Sequence, residues 1–150
     1  MSVFDEILRT NLKPSDGRIA AFTYLNESAR PEAGRVRALV DDLLERYPQA
    51  HLDALRRRLR SVDDVQHHSS FFELLVHELL LRAGCDIVAV EPPIEGTTRS
   101  PDFLVQSADN IQFYLEATLA TGRSDADASG QRRLDDAIAA IDAVESPEFF

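Results

Sequence analysis

The chain has 150 residues, of which 44% are hydrophobic and 28% charged. This excludes disordered, collagen-like and mucin-like chains, and a chain of this length can bury roughly 70% of its unfolded surface without disulfides or structural metal. The net charge of −10 is uneven: residues 1–66 carry 11 acidic and 11 basic side chains and residues 67–150 carry 15 and 5, which argues against coating DNA by bulk attraction but not against an acidic site bridged to phosphate by metal.

In chain order, Phe4, Ile7 and Leu8 suggest a short helix, and the stretch from Pro14 to Gly17 reads as a turn. Pro31 and Glu32 suit the first turn of a helix. Val36, Leu39, Val40, Leu43 and Leu44 then recur at helical spacing until Pro48 stops the run. Leu52, Leu55 and Leu59 predict a second helix, whose other face holds Arg56, Arg57, Arg58 and Arg60; this basic cluster reads first as a solvated face and second as a contact for nucleic-acid phosphates. Ser61 and Asp64 form a variant capping box that opens a third helix, with a break near His67–Ser70, ending at Ala83 with Gly84 as its cap. Cys85 is the only cysteine and reads as a small buried residue, so a cysteine-rich zinc site is excluded and a reducing cytoplasm is the expected compartment. The longest apolar run, Phe71 to Leu81, is broken by Glu73, His77 and Glu78, so no membrane partner is expected.

After Gly84 the period changes. Ile87–Val90 is a β-branched run, Ile94–Ser100 a polar loop, Phe103–Val105 a second strand, Ser107–Asn110 a turn and Ile111–Thr118 a third strand. Thr121–Gly130 reads as an acidic loop of small residues. Leu134, Ile138 and Ile141 mark a helix to about residue 144, and Glu148-Phe149-Phe150 opens a fourth strand. The fold class is therefore α/β, with a small mixed sheet between helices and a helical N-terminal region. The expected division is 1–66 and 67–150.

Three carboxylates stand out. Alternation sets Ile111, Phe113, Leu115 and Ala117 on one strand face and Tyr114, Glu116 and Thr118 on the other, so Glu116 is a charge in an otherwise apolar strand. Asp102 precedes Phe103-Leu104-Val105, and two carboxylates on adjacent strands can share one hard divalent ion. Glu73 and His77 project from a largely apolar helix face; Glu73 reads either as a group facing that site or as the end of a Ser70-x-x-Glu73 capping box. His67-His68 near His77 reads as surface or capping rather than as metal ligands.

Pro101-Asp102, with Glu116-Ala117-Thr118 following and a helix carrying Glu73 before, resembles the PD-(D/E)XK nuclease superfamily over residues 67–150. The resemblance implies a restriction-endonuclease-like αβββα(β) core and a Mg²⁺ (or Mn²⁺) ion held by Asp102, Glu116 and the Ala117 carbonyl, with Glu73 binding metal or orienting a metal-bound water. It also implies hydrolysis of phosphodiester bonds, with DNA ahead of RNA as partner. Thr118 stands where the family has a lysine, and its hydroxyl carries no charge. Gln131 is the first candidate to replace that lysine, ahead of Arg132 and Arg133, with Arg99 and Arg123 as loop alternatives and Lys13 remote. The family's fourth strand is cut short at Phe150, so a C-terminal segment or a second copy of the chain is expected to complete the sheet.

The leading reading is thus a metal-dependent endonuclease-like hydrolase. The second is a catalytically inactive module of the same fold that serves as a scaffold, and the third is a structural protein with a fortuitous motif.

Overall fold

The computed structural model describes residues 2–15 and 17–119. Four α-helices precede a three-stranded sheet: α1 (Ala21–Glu27), α2 (Pro31–Arg46), α3 (Leu52–Leu59), α4 (Asp64–Arg82), then β1 (Asp86–Val90), β2 (Phe103–Gln106) and β3 (Gln112–Leu115). The strands run in the order β1-β2-β3 and both pairings are antiparallel. The α/β class therefore holds, but the described sheet is antiparallel rather than mixed. The expected helix at 131–144, the fourth strand and Gln131, Arg132, Arg133 and Arg123 lie outside the described residues.

The helices with strong sequence signals form where their stop signals put them. Pro31 opens α2, and the chain turns extended at Tyr47 before Pro48. α3 buries Leu52, Leu55 and Leu59. α4 ends in a Schellman motif: Gly84 has φ of 76°, its N–H donates to the Leu81 carbonyl and the Cys85 N–H donates to the Leu80 carbonyl.

Four local expectations are corrected. The segment around Phe4–Leu8 is not helical. Its polar groups are taken by distant partners instead: the Val3 N–H donates to Asp41, Arg60 donates to the Val3 carbonyl, and the Asp5 N–H donates to Asn26. A short isolated helix cannot compete with such contacts, because its first turn is costly to nucleate. Second, α4 is capped by Asp63, which accepts the Val65 N–H, and not by a Ser61–Asp64 box. Asp64 instead accepts the Ala21 N–H and so caps the otherwise unsignalled α1. Third, α4 is continuous through His67–Ser70, because Phe22 and the Leu59 carbonyl receive His67 on its inner face. Fourth, β3 stops at Leu115, so Glu116 and Thr118 follow the strand rather than lie in it.

One hydrophobic cluster runs from Val3 and Phe4 through Val40, Leu43, Leu55, Leu59 and Leu74 to Val90, Phe103 and Val105. The boundary expected at 66/67 falls inside α4, and core residues come from both sides of it. β1 carries a bulge at Val88. Ile87 pairs with Val105 and Val90 with Phe103, so the extra residue lets both face the core although they are three positions apart. The bulge also sets the register at the far end of the strand.

Candidate functional site

The two registers align three acids. β1 pairs Val90 with Phe103, and the next step sets Glu91 beside Asp102, whose carbonyl accepts the Glu91 N–H at 2.9 Å. β2 pairs Phe103 with Leu115, and the next step sets Asp102 opposite Glu116. Glu91, Asp102 and Glu116 thus form a row across the same end of the sheet. The ladder ends there: the Asp102 carboxylate accepts the Ala117 N–H at 2.6 Å. Glu91 has φ of 49°, a left-handed conformation that a non-glycine residue adopts at a cost of about 1 kcal/mol. Partial burial lifts the Asp102 carboxyl above the ordinary carboxylate range and the negative charge of Glu116 adds to it, against the opposing Ala117 hydrogen bond.

Glu73 is buried in the middle of α4, and its partners come from the helical layer. Tyr47, just past α2, donates its hydroxyl to Glu73 Oε1 at 2.7 Å. Arg58 of α3 donates Nη2 to both Glu73 oxygens, at 2.9 and 2.7 Å, and Nη1 to Glu91 at 2.9 Å. The capping-box reading of Glu73 is therefore corrected: Ser70 donates its hydroxyl to the Gln66 carbonyl one turn back. The solvated reading of the arginine run is corrected as well. Arg58 joins α3, α4 and the end of β1, and Arg60 stacks over Phe22 while pairing with Asp5. Burial lifts the Glu73 carboxyl, Tyr47 and Arg58 oppose this, and the charges of Asp102 and Glu91 add to it. Burial and Glu73 together push the Tyr47 phenol far up, so it stays a donor.

The surface reading of the histidine pair is corrected for His67, which is buried against Phe22 with its Nδ1 at 2.6 Å from the Leu59 carbonyl. His77 lies one turn after Glu73, between the rings of Tyr47 at 4.8 Å and Phe103 at 5.9 Å, and its buried Nδ1 has no hydrogen-bond partner. Burial holds both imidazoles below their ordinary value of 6.5. The native state then refuses protons that the unfolded chain accepts, so stability is full above about 6.5 and falls as the pH drops through that value toward the lower native one. Urea unfolding across this range is expected to show that loss, and His77→Phe is expected to make it shallower. An unchanged slope would remove His77 from the account.

No protein-family model matches this chain, and no curated protein or solved structure gives a significant match. The resemblance to the PD-(D/E)XK superfamily rests on Asp102, Glu116 and Glu73 and on the order of elements around them.

Among the described residues no three His, Cys, Asp or Glu side chains gather closely enough to hold a metal ion. The candidate residues divide accordingly. Asp102 and Glu116 lie one step past the Phe103–Leu115 pair, close enough for the charge of Glu116 to act on Asp102, and the Asp102 carboxylate accepts the Ala117 N–H. Glu73, on α4, has both oxygens engaged by Arg58 and one also by Tyr47. Arg58 is a cation whose field reaches Asp102, and its guanidinium is paired with Glu73 and Glu91. A Mg²⁺ ion usually takes one or two carboxylates and completes its shell with water and phosphate oxygens. By that chemistry Asp102 and Glu116 are the candidate ligands, whereas both oxygens of Glu73 are already engaged by Arg58.

Sequence reasoning singled out the basic cluster that holds Arg58 but missed its pairing with Glu73 and Glu91, and it missed Tyr47 altogether. A signal for Arg58 was present: it lies three positions after Leu55 and one before Leu59, on the flank of the buried stripe of α3. No local pattern marks Glu91, whose place depends on the bulge at Val88.

Proposed function

We propose that this protein is a Mg²⁺- or Mn²⁺-dependent hydrolase of phosphodiester bonds in nucleic acid, with DNA ahead of RNA, on a restriction-endonuclease-like fold. The observation that supports this reading is the acidic row at the sheet end, in which Asp102 and Glu116 each lie one step past the paired Phe103 and Leu115, and burial and the charge of Glu116 disfavour the ionised Asp102. Such an arrangement is relieved by a cation. Asp102 and Glu116 are the residues that would hold the ion, with the carbonyl of Ala117 beside them. A bound ion of this kind supplies a water of lowered pKa and positive charge for the phosphoryl oxygens. Tyr47 and Arg58 fix the Glu73 carboxylate, whose role in this reading is to support the ion site electrostatically.

The test is cleavage of labelled single-stranded and duplex DNA in Mg²⁺ and in Mn²⁺. The unsubstituted protein is expected to cut, and Asp102→Asn and Glu116→Gln are each expected to lose cutting. Cutting that survives both substitutions would contradict the assignment.

A second reading is a catalytically inactive scaffold of the same fold. It is favoured by the neutral Thr118 at the lysine position and by the ion pair that occupies Glu73. A well-folded protein that cuts no substrate in either metal would support it.

A further inference from the structure

We propose that Arg58 is a phosphate-recognition residue that exchanges one of its two carboxylate partners for a phosphate oxygen of the bound strand. The inference takes its substrate class from the hydrolase reading above.

The acidic row poses a problem for any anionic substrate. Glu91, Asp102 and Glu116 lie at one end of the sheet, the charges of Glu91 and Asp102 reach the buried Glu73 of α4, and a phosphate approaching this group is repelled unless a cation receives it. Arg58 is positioned to do so, and its two ion pairs differ in kind. The Glu73 pair is deep: that side chain is only 8% exposed and takes both contacts from Nη2. The Glu91 pair is shallow: its side chain is 46% exposed, and such surface pairs are worth little. Glu91 is also held in a left-handed backbone conformation, so its carboxylate is presented from a strained position.

A cleft of about 340 Å³ opens beside this pair, lined by Ala54, Arg57, Arg58, Gln66 and Glu91. Arg57 is exposed on the same helix and adds a second cation to the cleft wall. A strand lying in it meets the Nη1 side of Arg58, while Glu73 continues to hold Nη2 and fixes the plane of the guanidinium. The planar fork suits two partners at once and matches phosphate as well as carboxylate, and the exposed Glu91 pair costs little to give up. The Glu91 N–H is bonded to the Asp102 carbonyl, so a phosphate taken up at Arg58 lies against the same backbone that carries the proposed ion ligand. Glu91 acts as a placeholder that occupies Nη1 until a strand arrives.

The test measures binding of a short fluorescein-labelled DNA strand by fluorescence anisotropy in Ca²⁺. Glu91→Gln removes the competing carboxylate and is expected to tighten binding by about threefold. Arg58→Lys keeps the charge but loses the fork and is expected to weaken binding by about tenfold, with thermal melting used to verify that the variant is folded. Glu95→Gln makes the same charge change on a neighbouring exposed residue and is expected to leave affinity unchanged. Equal effects of Glu91→Gln and Glu95→Gln would reduce the result to bulk charge and overturn the proposal. Unchanged affinity of Arg58→Lys, or no binding by the unsubstituted protein, would overturn it too. The expected binding pattern without DNA cleavage in Mg²⁺ or Mn²⁺ would refute the hydrolase reading and leave Arg58 as a phosphate-binding residue.

Discussion

Replacing Arg58 with alanine is expected to destabilise the fold by about 3 kcal/mol, the largest effect of any surface-accessible side chain in the site. The reason is what it leaves behind. Glu73 is buried in α4 and would retain only the Tyr47 hydroxyl as a partner. Its carboxylate would then be a nearly uncompensated charge in the interior, or would take up a proton. A buried ion pair contributes modestly when intact, yet it costs much more when halved. Adding Glu73→Leu to Arg58→Ala is therefore expected to recover most of the loss, because the charge disappears with its partner. Urea unfolding of the two single variants and the double variant provides the measurement. A loss below about 1 kcal/mol for Arg58→Ala would mean that the pair behaves as an ordinary surface contact.

Phe103→Ala is expected to cost about 3–5 kcal/mol, the range for truncating a fully buried aromatic side chain. Phe103 has no exposed surface, packs its ring against His77 and stands in register with both Val90 and Leu115. It is also the residue immediately after Asp102, so the ring seats the start of β2 and with it the acidic row. The same substitution is expected to weaken any stabilisation by divalent metal. Tyr114→Ala on the half-exposed neighbouring strand is expected to change stability much less. Similar losses for the two variants, read from the same unfolding curves, would show that Phe103 does not anchor the strand.

The elements that sequence reasoning located are those whose signals are local. Pro31 and Pro48 bracket α2, and Gly84 with its positive φ ends α4. Asn110, at φ of 61°, turns the chain between β2 and β3, with its N–H donating to the Ser107 carbonyl. These residue types force the backbone whatever surrounds them. The elements that escaped depend on distant partners. α1 is capped by Asp64, 43 residues away, and packs Phe22 on Phe4 at 5.8 Å. The N-terminal arm is held by Asp41, Asn26 and Arg60 rather than by its own periodicity.

The site divides in the same way. The closeness of Asp102 to Glu116 follows from the hairpin register that the turn at Ser107–Asn110 sets, although Glu116 lies past the end of β3 and not in an alternating strand as expected. The roles of Arg58 and Tyr47 were not legible, because a buried carboxylate demands partners without saying which elements will provide them. Arg56 and Arg58 both flank the buried stripe of α3 in sequence, and only the packing of α3 on α4 decides that Arg58 is the one paired with Glu73.

The central claim is that Asp102 and Glu116 form a divalent-cation site, and the most direct measurement is thermal melting during titration with Mg²⁺ or Mn²⁺. An ion that binds only the folded state at a hundred times its Kd adds about 2.7 kcal/mol, so the melting temperature of the unsubstituted protein is expected to rise with metal. Asp102→Asn removes one of the two proposed ligands and is expected to abolish the rise. A melting temperature indifferent to metal in the unsubstituted protein, or an equal rise in Asp102→Asn, would contradict the account.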